Sequence, residues 1–145
     1  MDYISKSPRK TWAIGREIAS KMVSGEVICL YGELGAGKTT FVHGFIDYFL
    51  PGKRIISPTF IIVRHYPIKH QQIKNIYHVD LYRISKENEI LGLGLSQWIN
   101  RSDSLVLIEW AEKMGNFLPK KRMDIKFEIK SENERIINIE TRDNR

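Results

Sequence analysis

Cysteine is almost absent from this chain, since its 145 residues include only Cys29. A single thiol excludes an intramolecular disulfide framework. No apolar run is long enough to span a bilayer, and residues 1–10 lack the apolar segment of a cleaved secretory signal. We therefore expect a cytoplasmic protein that does not associate with membranes.

Internal repeats and low-complexity tracts are also missing. The hydrophobic fraction of 42% and the charged fraction of 28% are ordinary globular values, which excludes disordered and fibrous classes. The length predicts a single domain over residues 1–145. The net charge of +6 is compatible with nucleic acid, but the basic residues are dispersed and a solvated surface explains them equally well. The densest basic cluster is Lys120, Lys121 and Arg122.

One motif indicates phosphate binding. Residues 32–39 match the pattern G-x-x-x-x-G-K-[ST] and follow the apolar run of residues 27–31. Glycines let the backbone N–H groups approach phosphates, and the helix that follows adds the positive end of its dipole. We predict Lys38 between the β and γ phosphates and the Thr39 hydroxyl on Mg²⁺. The predicted nucleotide-binding residues are Gly32, Glu33, Leu34, Gly35, Ala36, Gly37, Lys38, Thr39 and Thr40.

Periodicity predicts an α/β layer structure. Ser7 and Pro8 are expected to begin a helix that stops near Gly25, and a second helix follows the phosphate loop. Residues 60–66 and 76–82 read as an antiparallel strand pair separated by a polar loop over residues 69–75. A short helix is expected near residues 97–99. A buried strand over residues 105–108 and a hairpin turning at residues 131–134 complete the chain.

Three further residues are candidates for the site. Glu109 ends the buried strand where nucleotide-binding sheets carry a metal-side carboxylate, although an acid at a strand end can also lie at the surface. Thr59, within Ser57-Pro58-Thr59-Phe60, is a candidate metal-linked sensor of the γ-phosphate, whereas a plain turn would use Ser-Pro as well.

The third candidate is Asp80, which belongs to an alternating set with His78 and Tyr82. On a strand, alternation places all three side chains on one face. Asp80 is expected to order the attacking water or a metal-bound water with support from His78, and an exposed hydrogen-bonded face is the other interpretation.

These motifs together resemble the TsaE family, the small ATPases of bacterial tRNA threonylcarbamoyladenosine synthesis. The resemblance covers most of the chain and rests on residues 32–40, 57–60, 77–83 and 108–112. It implies a P-loop NTPase-like three-layer fold with a mixed parallel/antiparallel sheet. It also implies ATP hydrolysis that serves the assembly or turnover of a complex with TsaD and TsaB, and the complex is the route to any tRNA contact.

The resemblance further implies roles for single residues. Lys38 and Thr39 hold phosphate and Mg²⁺, Glu109 assists the metal, Thr59 belongs to a switch, and Asp80 is important for hydrolysis. Whether Asp80 or Glu109 positions the attacking water stays open. ATP and Mg²⁺ are thus the expected cofactors.

Two other functions are compatible with the phosphate loop. A small-molecule or nucleotide kinase would need an acceptor pocket and an arginine-bearing lid, for which Arg83 and Arg101 are isolated candidates. The other is a nucleotide-controlled binding module without significant turnover. The sequence has no Asn-Lys-x-Asp segment to read guanine. Since no arginine is obviously placed to neutralise the γ-phosphate, we expect slow hydrolysis until a partner completes the site.

Overall fold

A computed structural model describes residues 1–55, 62–99 and 101–143. The strands are β1 (Asp2–Ser5), β2 (Val27–Tyr31), β3 (Val63–His70), β4 (Ile73–Asp80), β5 (Ser104–Glu109), β6 (Lys121–Ser131) and β7 (Glu134–Asp143). The helices are α1 (Pro8–Ala19), α2 (Lys38–Phe49), α3 (Asn88–Leu91) and α4 (Ser96–Ile99), and a 3-10 helix spans Ala111–Phe117.

The strands form one mixed sheet in the order β1-β7-β6-β2-β5-β4-β3. Strands β4, β5, β2 and β6 run parallel, whereas β1, β7 and β3 pair antiparallel with their neighbours. The predicted α/β class and mixed sheet are therefore confirmed. Because the carboxyl ends of the parallel strands meet at one edge, residues that follow β2, β4 and β5 come together there.

Both faces of the central strands are buried, which explains their continuous apolar sequences. In β5, Leu105 and Leu107 pack with α1 and α2, whereas Val106 and Ile108 pack with α3, α4 and the 3-10 helix. The sheet is thus the middle of three layers. Among the described residues, no helix has the length and apolar character needed to cross a membrane.

Helix α1 begins as predicted but ends early. The Ser7 side chain accepts a hydrogen bond from Lys10 N at 3.1 Å, and Pro8 occupies the first turn. The stop near Gly25 is wrong, because the N–H groups of Lys21 and Met22 bond back three residues in tight turns instead of continuing the helix.

The hairpin of β3 and β4 is also tighter than predicted. Pairing continues to His70 opposite Ile73, so Gln71 and Gln72 form the turn in place of the predicted polar loop over residues 69–75. Polar residues are tolerated here because the hairpin lies at the sheet edge, while Ile73 still points into the core. The antiparallel pairing itself is confirmed. Residues 60 and 61 lie outside the described part of the chain.

Candidate functional site

The loop between β2 and α2 has a backbone that only glycine adopts easily. Gly32 has φ 150° and lies so close to β6 that a Cβ would meet Phe127 O at 2.8 Å. Gly37 has φ 105° and directly precedes α2. Within the described residues no side chain caps this helix, so its first N–H groups remain oriented towards the loop as an anion site.

Lys38 folds back over the loop. Its ammonium donates to the carbonyl oxygens of Gly32 and Glu33, the latter at 3.1 Å, and lies 3.9 Å from the centre of the Trp110 ring. Burial lowers the pKa of Lys38, and the nearby carboxylates of Glu109 and of other acidic residues act in the opposite direction. The lysine is thus a poorly solvated cation beside the predicted phosphate position.

Glu109 lies inside the protein rather than at its surface. It is 1% exposed, which rules out the interpretation of a solvated acid at a strand end. Thr39 Oγ1 donates to Glu109 Oε1 at 2.9 Å, and His78 Nε2 lies 2.6 Å from Glu109 Oε2. These two contacts through Glu109 link the first turn of α2 to β4 and β5. They bring together hydroxyl and carboxylate oxygens, which are ligand types that Mg²⁺ prefers.

Asp80 lies at the end of β4 opposite Glu109 in the strand register. Its Oδ1 accepts a hydrogen bond from Tyr82 N at 2.9 Å. Burial raises the pKa of Asp80, the hydrogen bond from Tyr82 opposes that rise, and the Glu109 carboxylate adds to it. The alternation of His78 and Asp80 on one face holds, but Tyr82 does not share it, because the strand ends at Asp80 and the chain turns.

These groups surround a cavity of about 270 Å³. Asp80 and Glu109 form its inner side, and Trp110 and Tyr82 lie at its outer side with ring centres 5.2 Å apart. Trp110 has φ 60°, an uncommon conformation for a residue other than glycine. The predicted loop residues that line this cavity are Leu34, Gly35, Ala36, Gly37, Lys38, Thr39 and Thr40.

A second cavity of about 180 Å³ adjoins the other side of the loop and shares Gly35, Gly37 and Thr40 with the first. Its remaining walls come from the start of α1 and from the turn between β6 and β7. Arg135, the second residue of β7, donates to Gly35 O at 3.3 Å. Sequence reasoning missed this arginine, although β6 runs parallel to β2 and so must bring its final turn to the edge of the phosphate loop.

Some predicted residues are not part of this arrangement. Thr59 and its neighbours Ser57, Pro58 and Phe60 fall outside the described residues. Arg101, a candidate for a kinase lid, pairs with Asp103 at 2.9 Å. Both residues precede the amino-terminal end of β5, whereas the phosphate loop lies at the carboxyl end of the parallel strands.

The sequence matches the family described as "Threonylcarbamoyl adenosine biosynthesis protein TsaE" over residues 5–137. A relative from Bacillus subtilis (strain 168), named tRNA threonylcarbamoyladenosine biosynthesis protein TsaE, is 34% identical over 139 residues, which cover 96% of this chain and 84% of the relative. A relative of the same name from Rickettsia bellii is 34% identical over 94% of this chain and 92% of its own. The crystal structure of YdiB from Bacillus subtilis superposes with a TM-score of 0.78 at 30% identity, covering 98% of this chain and 84% of that one. With the family match extending across the sheet and the phosphate loop, this chain belongs to the TsaE family.

Proposed function

We propose that this protein binds and hydrolyses ATP and acts with TsaD and TsaB in threonylcarbamoyladenosine modification of tRNA. The observation that carries the proposal is the 2.9 Å hydrogen bond between Thr39 and Glu109 beside a complete phosphate loop. Nucleotide hydrolases bring together a hydroxyl from the start of the loop helix and an acid from a neighbouring strand. The names of the relatives supply the link to tRNA modification.

Thr39 and Glu109 are the residues that would hold Mg²⁺. Their oxygens fit a hard cation, and Mg²⁺ commonly takes one or two protein ligands and completes its shell with phosphate oxygens and water. The ion would neutralise phosphate charge when bound. Thr59 is a further candidate ligand through the switch segment that the family resemblance implies.

The loop backbone and Lys38 would bind the phosphates. The second cavity extends the site in the direction away from Glu109, so we propose that the ribose and base lie there, between Thr11 and Arg135 at the start of β7. Each cavity is smaller than a typical ligand pocket, but the two share Gly35, Gly37 and Thr40 as lining residues.

Asp80 is the proposed positioning group for the attacking water. It lines the phosphate cavity without bonding to Thr39. Its raised pKa is typical of side chains that act as catalytic acids or bases. An arginine that stabilises the transferring phosphoryl group accelerates hydrolysis by about 10³ to 10⁵ in other systems. We propose that the isolated protein hydrolyses ATP slowly and that TsaD and TsaB raise the rate.

Calorimetry and a turnover assay test this function. ADP and GDP are titrated into the purified protein with Mg²⁺, and ATP turnover is followed as free phosphate with and without TsaD and TsaB. Lys38→Ala should weaken ADP binding at least about 30-fold, because it removes a buried charge partner worth about 2 kcal/mol or more. Lys53→Ala is the matched control, since Lys53 lies 5.7 Å from the Tyr66 ring, away from the loop.

The outcomes separate the candidate functions. Phosphate release that the partners accelerate supports the proposal. Phosphate transfer to an added metabolite would favour a kinase, and tight binding with no turnover in the presence of both partners would favour a nucleotide-controlled binding module. No binding of any nucleotide would overturn the whole interpretation.

A further inference from the structure

A chain of buried polar side chains continues behind Glu109, away from the phosphate cavity. His78 is 0% exposed, and its Nε2 contacts one oxygen of Glu109 while Thr39 contacts the other. The carboxylate is therefore held from both sides. Burying an imidazole and a carboxylate costs free energy that their pairing only partly offsets, and a function of this arrangement in the site would account for that cost.

The pairing defines which nitrogen of His78 carries a proton. A carboxylate that binds a metal ion has no proton and only accepts hydrogen bonds, so His78 must donate through Nε2–H. In neutral His78 the other ring nitrogen, Nδ1, is then an acceptor. It is buried, and none of the described residues is its hydrogen-bond partner.

A second histidine that also has a buried ring nitrogen without a partner among the described residues lies on α2. His43 is one helical turn beyond Thr39, on the same side of the helix, and its Nε2 is also buried without a partner in the described ranges. Burial lowers the pKa of His43, the Glu109 carboxylate acts in the opposite direction, and a proton on His78 would lower this pKa further. A neutral His43 protonated on Nε2 would supply the donor that His78 Nδ1 lacks through a bridging water molecule.

We propose that His78 is a positioning residue that orients the Glu109 carboxylate towards the Mg²⁺ of the bound nucleotide, with His43 maintaining the required tautomer. The inference rests on the proposed nucleotide site and assigns no contact between either histidine and the nucleotide. Outer groups that hold metal ligands commonly change metal affinity by about 10-fold to 100-fold when they are replaced.

The test compares two amides at position 78. The glutamine amide nitrogen reaches the place of His Nε2, whereas the asparagine amide is too short and occupies the place of Nδ1. His78→Gln should therefore preserve the donor to Glu109, and His78→Asn should lose it. Because both variants are polar and neutral, they differ mainly in whether that hydrogen bond forms.

The measured quantity is the gain in ADP affinity caused by Mg²⁺, obtained by calorimetry in EDTA and in millimolar Mg²⁺. In His78→Asn this gain should fall about 10-fold or more, while the affinity in EDTA stays near that of the unchanged protein. His78→Gln should keep most of the gain. His65→Asn is the control, since His65 on β3 is exposed and bonds Asn75 at 2.7 Å.

Two further readouts are independent of ADP affinity. Mn²⁺ substituted for Mg²⁺ should show weaker binding to the His78→Asn complex by electron paramagnetic resonance. Nitrogen NMR of the imidazole rings should show His78 protonated on Nε2. Thermal unfolding of each variant establishes that the protein is folded before binding is measured.

Each outcome has a defined meaning. If the unchanged protein binds no nucleotide, the proposed function fails rather than this inference. If it binds and His78→Asn keeps the Mg²⁺ gain, or His78→Gln loses as much as His78→Asn, the positioning role is overturned. An equal loss of affinity in EDTA and in Mg²⁺ would also overturn it, because that is the signature of a purely structural defect.

Discussion

The ammonium of Lys38 lies 3.9 Å from the centre of the Trp110 ring while it donates to loop carbonyls. A cation over an indole is stabilised by about 0.5 to 2 kcal/mol, depending on solvation. Phosphate oxygens are stronger partners for an ammonium than neutral carbonyls are. Nucleotide binding should therefore draw Lys38 away from Trp110 and change the environment of the indole.

The first prediction concerns the fluorescence of that indole. In a protein carrying Trp12→Phe and Trp98→Phe, which leaves Trp110 as the remaining tryptophan, ADP with Mg²⁺ should change the emission intensity with a midpoint equal to the calorimetric dissociation constant. Lys38→Ala in the same background should abolish the nucleotide response. An unchanged emission at saturating ADP would show that the lysine and the indole do not separate on binding.

The second prediction separates binding from turnover at Asp80. Its raised folded-state pKa means that ionised Asp80 destabilises the folded protein at neutral pH, and this penalty disappears below the pKa of the unfolded chain. Asp80→Asn should therefore unfold at the same or a higher temperature at pH 7, bind ADP within a few-fold of the unchanged protein, and lose most ATP hydrolysis.

Denaturation and phosphate-release assays on one preparation measure both effects. Lys38→Ala provides the contrast, because it should lose binding first. Similar losses of ADP binding in the two variants would contradict the proposed division of roles.

The parts of the site that could be predicted from the sequence are those that short, continuous motifs encode. The glycines and Lys38 occupy one continuous motif, and the buried run that ends at Glu109 identifies a central strand by composition alone. The contact between Arg135 and Gly35 joins residues 100 positions apart, and no local pattern encodes it.

The features that could not be predicted from the sequence depend on strand pairing and on how the elements pack. The tight turn at Gln71 was missed because polar residues on an edge hairpin have the composition of a loop. Sequence alternation placed His78 and Asp80 on one face, but only the parallel register of β4 and β5 shows that the His78 ring reaches Glu109. The proposed link between His43 and His78 depends on how α2 lies across the sheet, which periodicity does not specify.

The third prediction concerns the crossing of α1 and α2. A Cβ on Gly44 would lie 1.9 Å from the carbonyl oxygen of Trp12, so the helices must separate to admit a methyl group. Gly44→Ala should lower the free energy of unfolding by about 1 to 3 kcal/mol or more, despite the higher helix propensity of alanine. Gly92→Ala is the control, since its Cβ would meet only Glu89 O at an ordinary 3.5 Å. Urea denaturation of both variants measures the difference, and equal stabilities would refute the close packing.

The last prediction concerns a buried carboxylate on β6 that lines neither of the two cavities beside the phosphate loop. Asp124 is 3% exposed. It accepts hydrogen bonds from Arg122 at 2.8 Å, Tyr31 at 2.8 Å and Arg142 at 2.5 Å. Burial alone would raise the pKa of Asp124, but the hydrogen bonds from these three donors outweigh that effect and lower it. The carboxylate thus joins β2, β6 and β7 through side-chain hydrogen bonds, level with Cys29 in the middle of β2.

A lowered folded-state pKa means that ionised Asp124 stabilises the protein above the pKa of the unfolded chain, about pH 4, and that this stabilisation is lost as the pH falls through the folded value. Asp124→Asn should lower the free energy of unfolding by about 1 to 3 kcal/mol at pH 7. Asp47→Asn is the control, because its 3.3 Å pair with the 40% exposed Arg16 should contribute less than about 1 kcal/mol. Urea denaturation between pH 7 and pH 3 should show the Asp124→Asn deficit shrinking with acid. Protonation at low pH removes the charge that distinguishes Asp124 from asparagine. A deficit that stayed constant with pH would therefore contradict a stabilisation by the ionised carboxylate.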